Sequence, residues 1–74
     1  MINGKSFLIV GLGLLGGSIA MGLIKHNHQV YAIDTDKNAI SYALENGIID
    51  EGSTETDAEL IGKADVIISG FIRR

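Results

Sequence analysis

A run of glycines near the start of the sequence has the spacing of a phosphate-binding turn. Residues 11–16 read G-L-G-L-L-G, which fits the pattern G-x-G-x-x-G. Gly11 would make a tight turn, Gly13 would let a pyrophosphate approach the backbone, and Gly16 would let a helix pack closely on a sheet. Free N–H groups at the start of that helix would bind the anion, assisted by the helix dipole. The alternative is that these glycines serve the turn and its packing without any ligand.

An acidic residue lies at the distance downstream that a dinucleotide site requires. Asp34 comes 23 residues after Gly11 and closes a short apolar run. A carboxylate at this spacing accepts hydrogen bonds from the ribose hydroxyls of the adenosine half and repels a 2′-phosphate, so the predicted cofactor is NAD rather than NADP. Lys37 is a nearby base that would instead favour the 2′-phosphate of NADP. The alternative role for Asp34 is a helix cap or a solvated strand end.

The predicted cofactor-binding residues include one hydroxyl beyond the glycine pattern. Ser18 would donate to a phosphate from the first turns of the helix, or would bond back to its own helix. The predicted set is Gly11, Leu12, Gly13, Leu14, Leu15, Gly16, Ser18 and Asp34. No catalytic residue and no metal ligand is predicted. His26 and His28 have no cysteine, nearby acid or helix-face spacing to partner them, and we expect them to be solvated at a helix end.

The elements that must position these residues alternate between strands and helices. Apolar runs predict strands at Ser6–Val10, at residues 29–34 and at Val66–Ser69, with a short edge strand at residues 52–54. Helical spacing predicts helices at residues 14–26 and 37–46, the second capped by Asp36 and followed by Gly47. A capping box at residues 56–59 opens a short third helix.

This alternation predicts an α/β fold. Strands joined by helical crossovers form a parallel sheet with right-handed connections and helices on both faces. The predicted strand order is 3-2-1-4 in three layers, which is part of a Rossmann fold, a doubly wound parallel sheet. Because a complete fold of this type has about six strands, residues 1–74 are predicted to be the N-terminal part of a dinucleotide-binding domain.

Composition and charge narrow the classes of partner. The chain has 74 residues and a net charge of −3, which argues against nucleic acid or an anionic membrane as the main partner. It has no cysteine, which excludes a disulfide scaffold and fits a cytoplasmic setting. The uncharged residues 7–24 reach the lower length limit of a membrane span, but their glycines favour a strand, a turn and a helix. The acidic residues 50–59 predict a solvated loop.

The glycine segment ends in a doubled glycine and a serine, and with this ending it resembles the nucleotide loop of a known enzyme family. Residues 11–18, G-L-G-L-L-G-G-S, are similar to the nucleotide loop of prephenate and arogenate dehydrogenases, and the similarity continues through residues 30–34, 43–50 and 64–68. The resemblance implies NAD(P)-dependent oxidative decarboxylation of prephenate to 4-hydroxyphenylpyruvate, in tyrosine biosynthesis. It also implies that Gly11, Gly13 and Gly16 form the pyrophosphate loop and that Asp34 binds the ribose.

The same resemblance implies a chain that lacks the rest of such an enzyme. The family's catalytic histidine, substrate-binding arginines and helical dimerisation domain cannot be mapped onto residues 1–74, and residues 70–74 depart from its pattern as a non-native tail would. We therefore expect weak binding of the ADP half of NAD, no catalysis by this chain, and self-association through an uncovered sheet edge. The alternatives are part of another NAD(P)-dependent β-hydroxyacid or imine dehydrogenase, and a non-catalytic NAD-binding regulatory module with residues 50–59 as its partner surface.

Overall fold

The structure is a computed structural model that describes residues 5–69, and for residues 14 and 15 it describes the backbone alone. Its strands are β1 (Ser6–Val10), β2 (Gln29–Ile33), β3 (Glu51–Ser53) and β4 (Val66–Ser69). Its helices are α1 (Gly13–Lys25), α2 (Lys37–Glu45) and α3 (Ala58–Lys63). The bounds of the four strands and of α1 and α2 agree with the predicted bounds to within one residue. The segment expected to be a non-native tail, residues 70–74, lies outside the described residues.

The four strands form one parallel sheet in the predicted order, β3-β2-β1-β4. In register, Val10 of β1 lies beside Ile33 of β2, and Ile33 lies beside Ser53 of β3. The carboxyl ends of these strands therefore meet at one edge of the sheet, which is where ligands bind in open α/β folds. Both the glycine turn after β1 and Asp34 after β2 begin at that edge.

The two faces of the sheet are covered by different helices. Ile9, Val30 and Ala32 point to one face and pack against Ala20 of α1 and Ile40 of α2. On the other face, the cluster consists of Leu8, Tyr31 and Leu60. The alternation follows the two-residue period of a strand, and it produces the three predicted layers.

The run of uncharged residues 7–24 is divided between β1 and α1. None of the helices within residues 5–69 is long and apolar enough to cross a bilayer. The strand β4 lies at the edge of the described sheet, where Ile67 is 54% exposed and Val66 is 37% exposed. This apolar edge was expected from the sequence, and self-association through it stays a prediction.

The C-terminus of α2 has the geometry that Gly47 predicts. Gly47 takes a positive φ of 69° and its N–H donates to the Leu44 carbonyl, while the N–H of Ile48 donates to the Ala43 carbonyl at 2.8 Å. These two bonds form a Schellman motif. The helix α1 ends in the same way with Asn27 at a φ of 67°, which no glycine in the sequence indicates. Asparagine is one of the few residues that tolerate this left-handed conformation.

The N-terminus of α3 corrects one prediction. The N-cap is Asp57 and not Thr56, since the Asp57 Oδ1 accepts hydrogen bonds from the N–H groups of Glu59 at 3.0 Å and Leu60 at 3.2 Å. Aspartate is at least as strong an N-cap as threonine, and one carboxylate oxygen here serves two donors. The capping box therefore identified the helix but placed its start one residue too early.

The acidic residues 50–59 are only partly a solvated loop. The carboxylate of Asp50 accepts a hydrogen bond from the N–H of Val30 at 2.8 Å. Glu51 lies in β3 and forms an ion pair with Lys63 of α3, with 2.8 Å between Nζ and Oε2. The Lys63 ammonium also lies 4.8 Å from the centre of the Tyr31 ring, so this pair connects α3 to the sheet. Hydrogen bonding to Glu51 raises the pKa of Lys63 above its ordinary value.

Candidate cofactor-binding site

The turn after β1 stays attached to the sheet for one residue beyond the strand. Gly11 is buried, takes a φ of 91°, and donates its N–H to the Ile33 carbonyl at 2.8 Å. A positive φ of this size is accessible to glycine at little cost. The chain therefore leaves β1 directly beside the end of β2, where Asp34 follows.

Gly16 lies where α1 passes closest to this turn. A Cβ atom added to Gly16 would lie 2.3 Å from the Gly11 carbonyl oxygen and 3.3 Å from the Ile9 Cγ2. A carbon and an oxygen that are not bonded to each other cannot approach so closely, so only glycine fits here without a shift of the backbone. This is the close helix approach that the third glycine of the pattern predicts.

The start of α1 is open to solvent and lacks a capping side chain. Gly13 is exposed, and a Cβ atom at this position would have no atom within 4 Å. The N-cap residue Leu12 makes no side-chain cap and the first turn contains no acid, whereas α2 and α3 are capped by Asp36 and Asp57. Uncapped N–H groups at a helix start carry partial positive charge and favour an anion. The space beside the Gly13 backbone is therefore open to a ligand.

Asp34 reaches from the end of β2 to the glycine turn. Its Oδ2 accepts a hydrogen bond from the N–H of Leu12 at 2.7 Å, and its Oδ1 accepts one from the N–H of Asp36 at 2.8 Å. The backbone N–H of Asp34 donates to the Ser53 carbonyl at 3.1 Å. A carboxylate offers about four acceptor positions, so two remain for other donors such as a pair of ribose hydroxyls.

A groove of about 340 Å³ lies between α1 and α2 beside the glycine turn. Its lining is mostly apolar and consists of Leu12, Gly13, Gly17, Ser18, Met21, Ala39, Tyr42, Ala43 and Ile48. Ser18 is exposed on the α1 wall of this groove, in the second turn of the helix. The structure thus brings Gly11, Leu12, Gly16 and Asp34 together at the turn, and it places Ser18 in the adjoining groove. The pattern of the sequence gave no sign of Met21 or Tyr42 in this groove.

Two aspartates at the opposite edge of the sheet have a structural role that was not predicted. Asp65 directly precedes β4 and accepts a hydrogen bond from the N–H of Ser6, the first residue of β1, at 2.8 Å. Asp50 precedes β3 and accepts in the same way from Val30, near the start of β2. The position of Asp65 just before an apolar run is a signal of this role in the sequence, whereas Asp50 precedes the polar strand Glu51–Ser53 and has no such signal.

Both histidines lie at that opposite edge, away from the glycine turn. His28 is half-buried rather than solvated, because its Nδ1 accepts a hydrogen bond from the Lys5 N–H at 3.0 Å and its ring packs edge-on against Phe7. The Nδ1 of His26 lies 2.9 Å from the Gly22 carbonyl oxygen. Within residues 5–69 there is no group of three side chains that could hold a metal ion.

The turn, the uncapped helix and the acid together define a nucleotide-binding α/β domain. Residues 6–71 match the family described as the NAD-binding domain of 6-phosphogluconate dehydrogenase. The chain therefore belongs to this family of dehydrogenase NAD-binding domains. The prediction of NAD as cofactor is confirmed by this membership.

Two solved structures are similar to the chain. One is a prephenate dehydrogenase from A. aeolicus in complex with hydroxyphenyl propionate and NAD+, with 34% identity and a TM-score of 0.76 over 92% of this chain. The other is an N5-carboxyaminoimidazole ribonucleotide synthetase in its ADP complex, with a TM-score of 0.75 over 96% of this chain. At 22% identity and 19% of the length of that synthetase, this second likeness shows the fold alone.

The match to the prephenate dehydrogenase confirms the resemblance of the nucleotide-binding part. The chain spans about a quarter of the length of that dehydrogenase, or 24%. The description of the matching family names a different enzyme, 6-phosphogluconate dehydrogenase. Family membership therefore shows an NAD-binding domain of the oxidoreductase class and does not specify a substrate.

Proposed function

We propose that the chain is the NAD-binding part of a prephenate dehydrogenase, which converts prephenate to 4-hydroxyphenylpyruvate by oxidative decarboxylation in tyrosine biosynthesis. Two findings support this substrate over those of other dehydrogenases. One is the sequence of residues 11–18, and the other is 34% identity to a prephenate dehydrogenase of known structure. When bound, NAD accepts the hydride that leaves the substrate, and this chain supplies the groups that hold the adenosine end of the cofactor.

Each predicted residue has a place in this proposal. The N–H groups of Gly13, Leu14 and Leu15 at the uncapped start of α1 bind the pyrophosphate. Gly11 and Gly16 shape the turn and make no contact through a side chain. The remaining members of the set are Leu12, which fixes Asp34 through its N–H, and Ser18, which meets the cofactor from the groove.

One observation carries the proposal. The Asp34 carboxylate lies 2.7 Å from the Leu12 N–H, so the acid that should hold the ribose is already beside the turn that should hold the pyrophosphate. The adenosine ribose and the pyrophosphate are adjacent in an extended dinucleotide. Asp65 accepts a similar hydrogen bond at the opposite edge of the sheet, whereas Asp34 accepts its bond beside the open, uncapped start of α1.

We assign no catalytic role to the residues of this chain. The sequence contains two histidines, and both lie at the edge of the sheet opposite to the proposed site. Neither can reach a substrate beside the cofactor to act as a general acid or base. We expect no NADH when the 74-residue chain is incubated with NAD and prephenate. Robust turnover would show that this assignment is wrong.

Calorimetric titration with ADP-ribose tests the binding site, with a matched pair of variants. Asp34 and Asp65 each accept a short hydrogen bond from a backbone N–H, at opposite edges of the sheet. We expect saturable binding to the unmodified chain at up to millimolar ligand. Asp34→Asn should weaken it about tenfold or more, because it removes a charged acceptor, which is worth about 1.5–3 kcal/mol.

The Asp65→Asn variant is the control for general loss of stability. It should leave the affinity for ADP-ribose within about twofold of the original, since its carboxylate lies at the far edge. Absence of saturation at millimolar ADP-ribose would contradict the proposed function. Equal weakening by both substitutions would remove Asp34 from the ribose-binding role.

A further inference from the structure

The start of α2 is tied directly to the proposed ribose-binding acid. The N–H of Asp36 donates to the Asp34 Oδ1 at 2.8 Å. The Asp36 carboxylate in turn accepts hydrogen bonds from the N–H groups of Asn38 at 2.9 Å and Ala39 at 3.3 Å. Two carboxylates therefore follow one another here, with Asp34 bound to the glycine turn and Asp36 capping the start of α2.

These contacts determine whether the start of α2 could bind a 2′-phosphate on the adenosine ribose. A phosphate beside Asp34 would need N–H donors and positive potential, and the first turn of a helix commonly supplies both. Here the donors of Asn38 and Ala39 are already bound by Asp36. The same carboxylate offsets the positive end of the helix dipole. With Lys37 included, the formal charge of the three side chains at residues 34, 36 and 37 is still −1.

We propose that Asp36 is a second determinant of cofactor selectivity, which excludes a 2′-phosphate by occupying the start of α2 with a negative charge. The inference rests on the proposed function, in which Asp34 holds the adenosine ribose. Serine or asparagine would cap α2 about as well as aspartate does. What aspartate adds to the cap is its charge, and that charge repels NADP and not NAD at this position.

The test compares two aspartates that cap helices in the same way. Asp36→Ser removes the charge at α2 and keeps a capping oxygen. Asp57→Ser makes the identical change at α3, where the carboxylate also accepts hydrogen bonds from two N–H groups but does not contact Asp34. Asp36→Asn is a second neutral cap at α2, for use if the serine variant loses its helical circular dichroism.

The quantity measured is the ratio of the dissociation constants of NADP and NAD, by calorimetry on the 74-residue chain. We expect the ratio to fall about tenfold in the Asp36 variant, since a unit charge and a doubly charged phosphate a few ångströms apart in water interact at about this level. The ratio should be unchanged in Asp57→Ser. The effect of the Asp36 substitution on this ratio should become smaller in molar salt, which screens exposed charges.

The possible failures are distinguishable. If the original chain binds NAD and the ratio does not change in either neutral variant of Asp36, this inference is overturned and the proposed function stands. An equal fall in the ratio with Asp57→Ser would also overturn it, because net charge rather than position would then be the cause. If the original chain does not bind NAD, both proposals fall together.

Discussion

Replacing Gly16 by alanine tests the geometry of the glycine turn most directly. The added Cβ would lie 2.3 Å from the Gly11 carbonyl oxygen, and this atom belongs to the backbone. The carbonyl cannot move freely, because the N–H of Gly11 is held by the Ile33 carbonyl at 2.8 Å. The substitution must therefore shift either α1 or the end of β1.

The magnitude follows from two opposing effects. Overpacking of this kind costs about 1–3 kcal/mol, and a backbone neighbour places the cost at the upper end. Alanine regains up to about 1 kcal/mol of helix propensity relative to glycine. We expect a net loss of about 2 kcal/mol in the free energy of unfolding for Gly16→Ala. In a domain of 74 residues this would lower Tm by roughly 8–16 °C.

The adjacent glycine is the matched control. Gly17 lies in the same helix, and a Cβ atom added there would meet no atom within 4 Å. Gly17→Ala should therefore stabilise the chain by about 0.5–1 kcal/mol. Urea unfolding followed by far-ultraviolet circular dichroism measures both variants. Equal stabilities of the two variants would refute the inference that Gly16 is required by close packing.

The same substitution should also weaken binding of ADP-ribose. A displaced Gly11 carries the Leu12 N–H with it, and this N–H holds the Asp34 carboxylate at 2.7 Å. We expect Gly16→Ala to bind ADP-ribose less tightly under conditions in which it is still folded. Undiminished affinity would show that the turn and the acid are independent.

Three further predictions concern the rest of the fold. His28→Ala should be less stable to urea than His28→Asn by about 1 kcal/mol, since asparagine keeps an acceptor for the Lys5 N–H; equal stabilities would mean that this bond contributes nothing. Asp57→Ala should lose about 1 kcal/mol of unfolding free energy while Asp57→Ser loses much less, and an equal loss in both would argue against the cap. Because Glu51 raises the pKa of Lys63, the stabilisation by this pair is present below pH 10.5 and is lost as the pH rises through the folded-state pKa. The Tm difference between the original chain and Lys63→Met should accordingly shrink at high pH, and a constant difference would contradict the ion pair.

The sequence predicts most of the fold because its signals are local. The strands Ser6–Val10 and Val66–Ser69 have the predicted bounds, since each is a continuous apolar run next to glycine or polar residues. The alternation of strands and helices predicts a parallel sheet with right-handed crossovers, and the strand order follows from the Rossmann fold that the glycine pattern and Asp34 indicate. Gly47 marks the end of α2 because few other residues take its positive φ.

What the sequence does not predict depends on partners far along the chain. The carboxylate of Asp65 binds the N–H of Ser6, which is 59 residues away, and that of Asp50 binds Val30, which is 20 residues away. No local pattern specifies such pairs before the register of the sheet is known. The groove beside the turn depends likewise on how far apart α1 and α2 pack.

The spacing of Asp34 from the glycines predicts its proximity to them but not its hydrogen bonds. Those bonds matter, because the Leu12 and Asp36 N–H groups hold the carboxylate in place without any ligand. Fixing a side chain on binding costs about 0.5–1.5 kcal/mol, and here that ordering is completed during folding. The same two bonds join the glycine turn to the start of α2. A ribose held by Asp34 would therefore stabilise both segments at once, so the proposed NAD site should resist unfolding more strongly when the cofactor is bound.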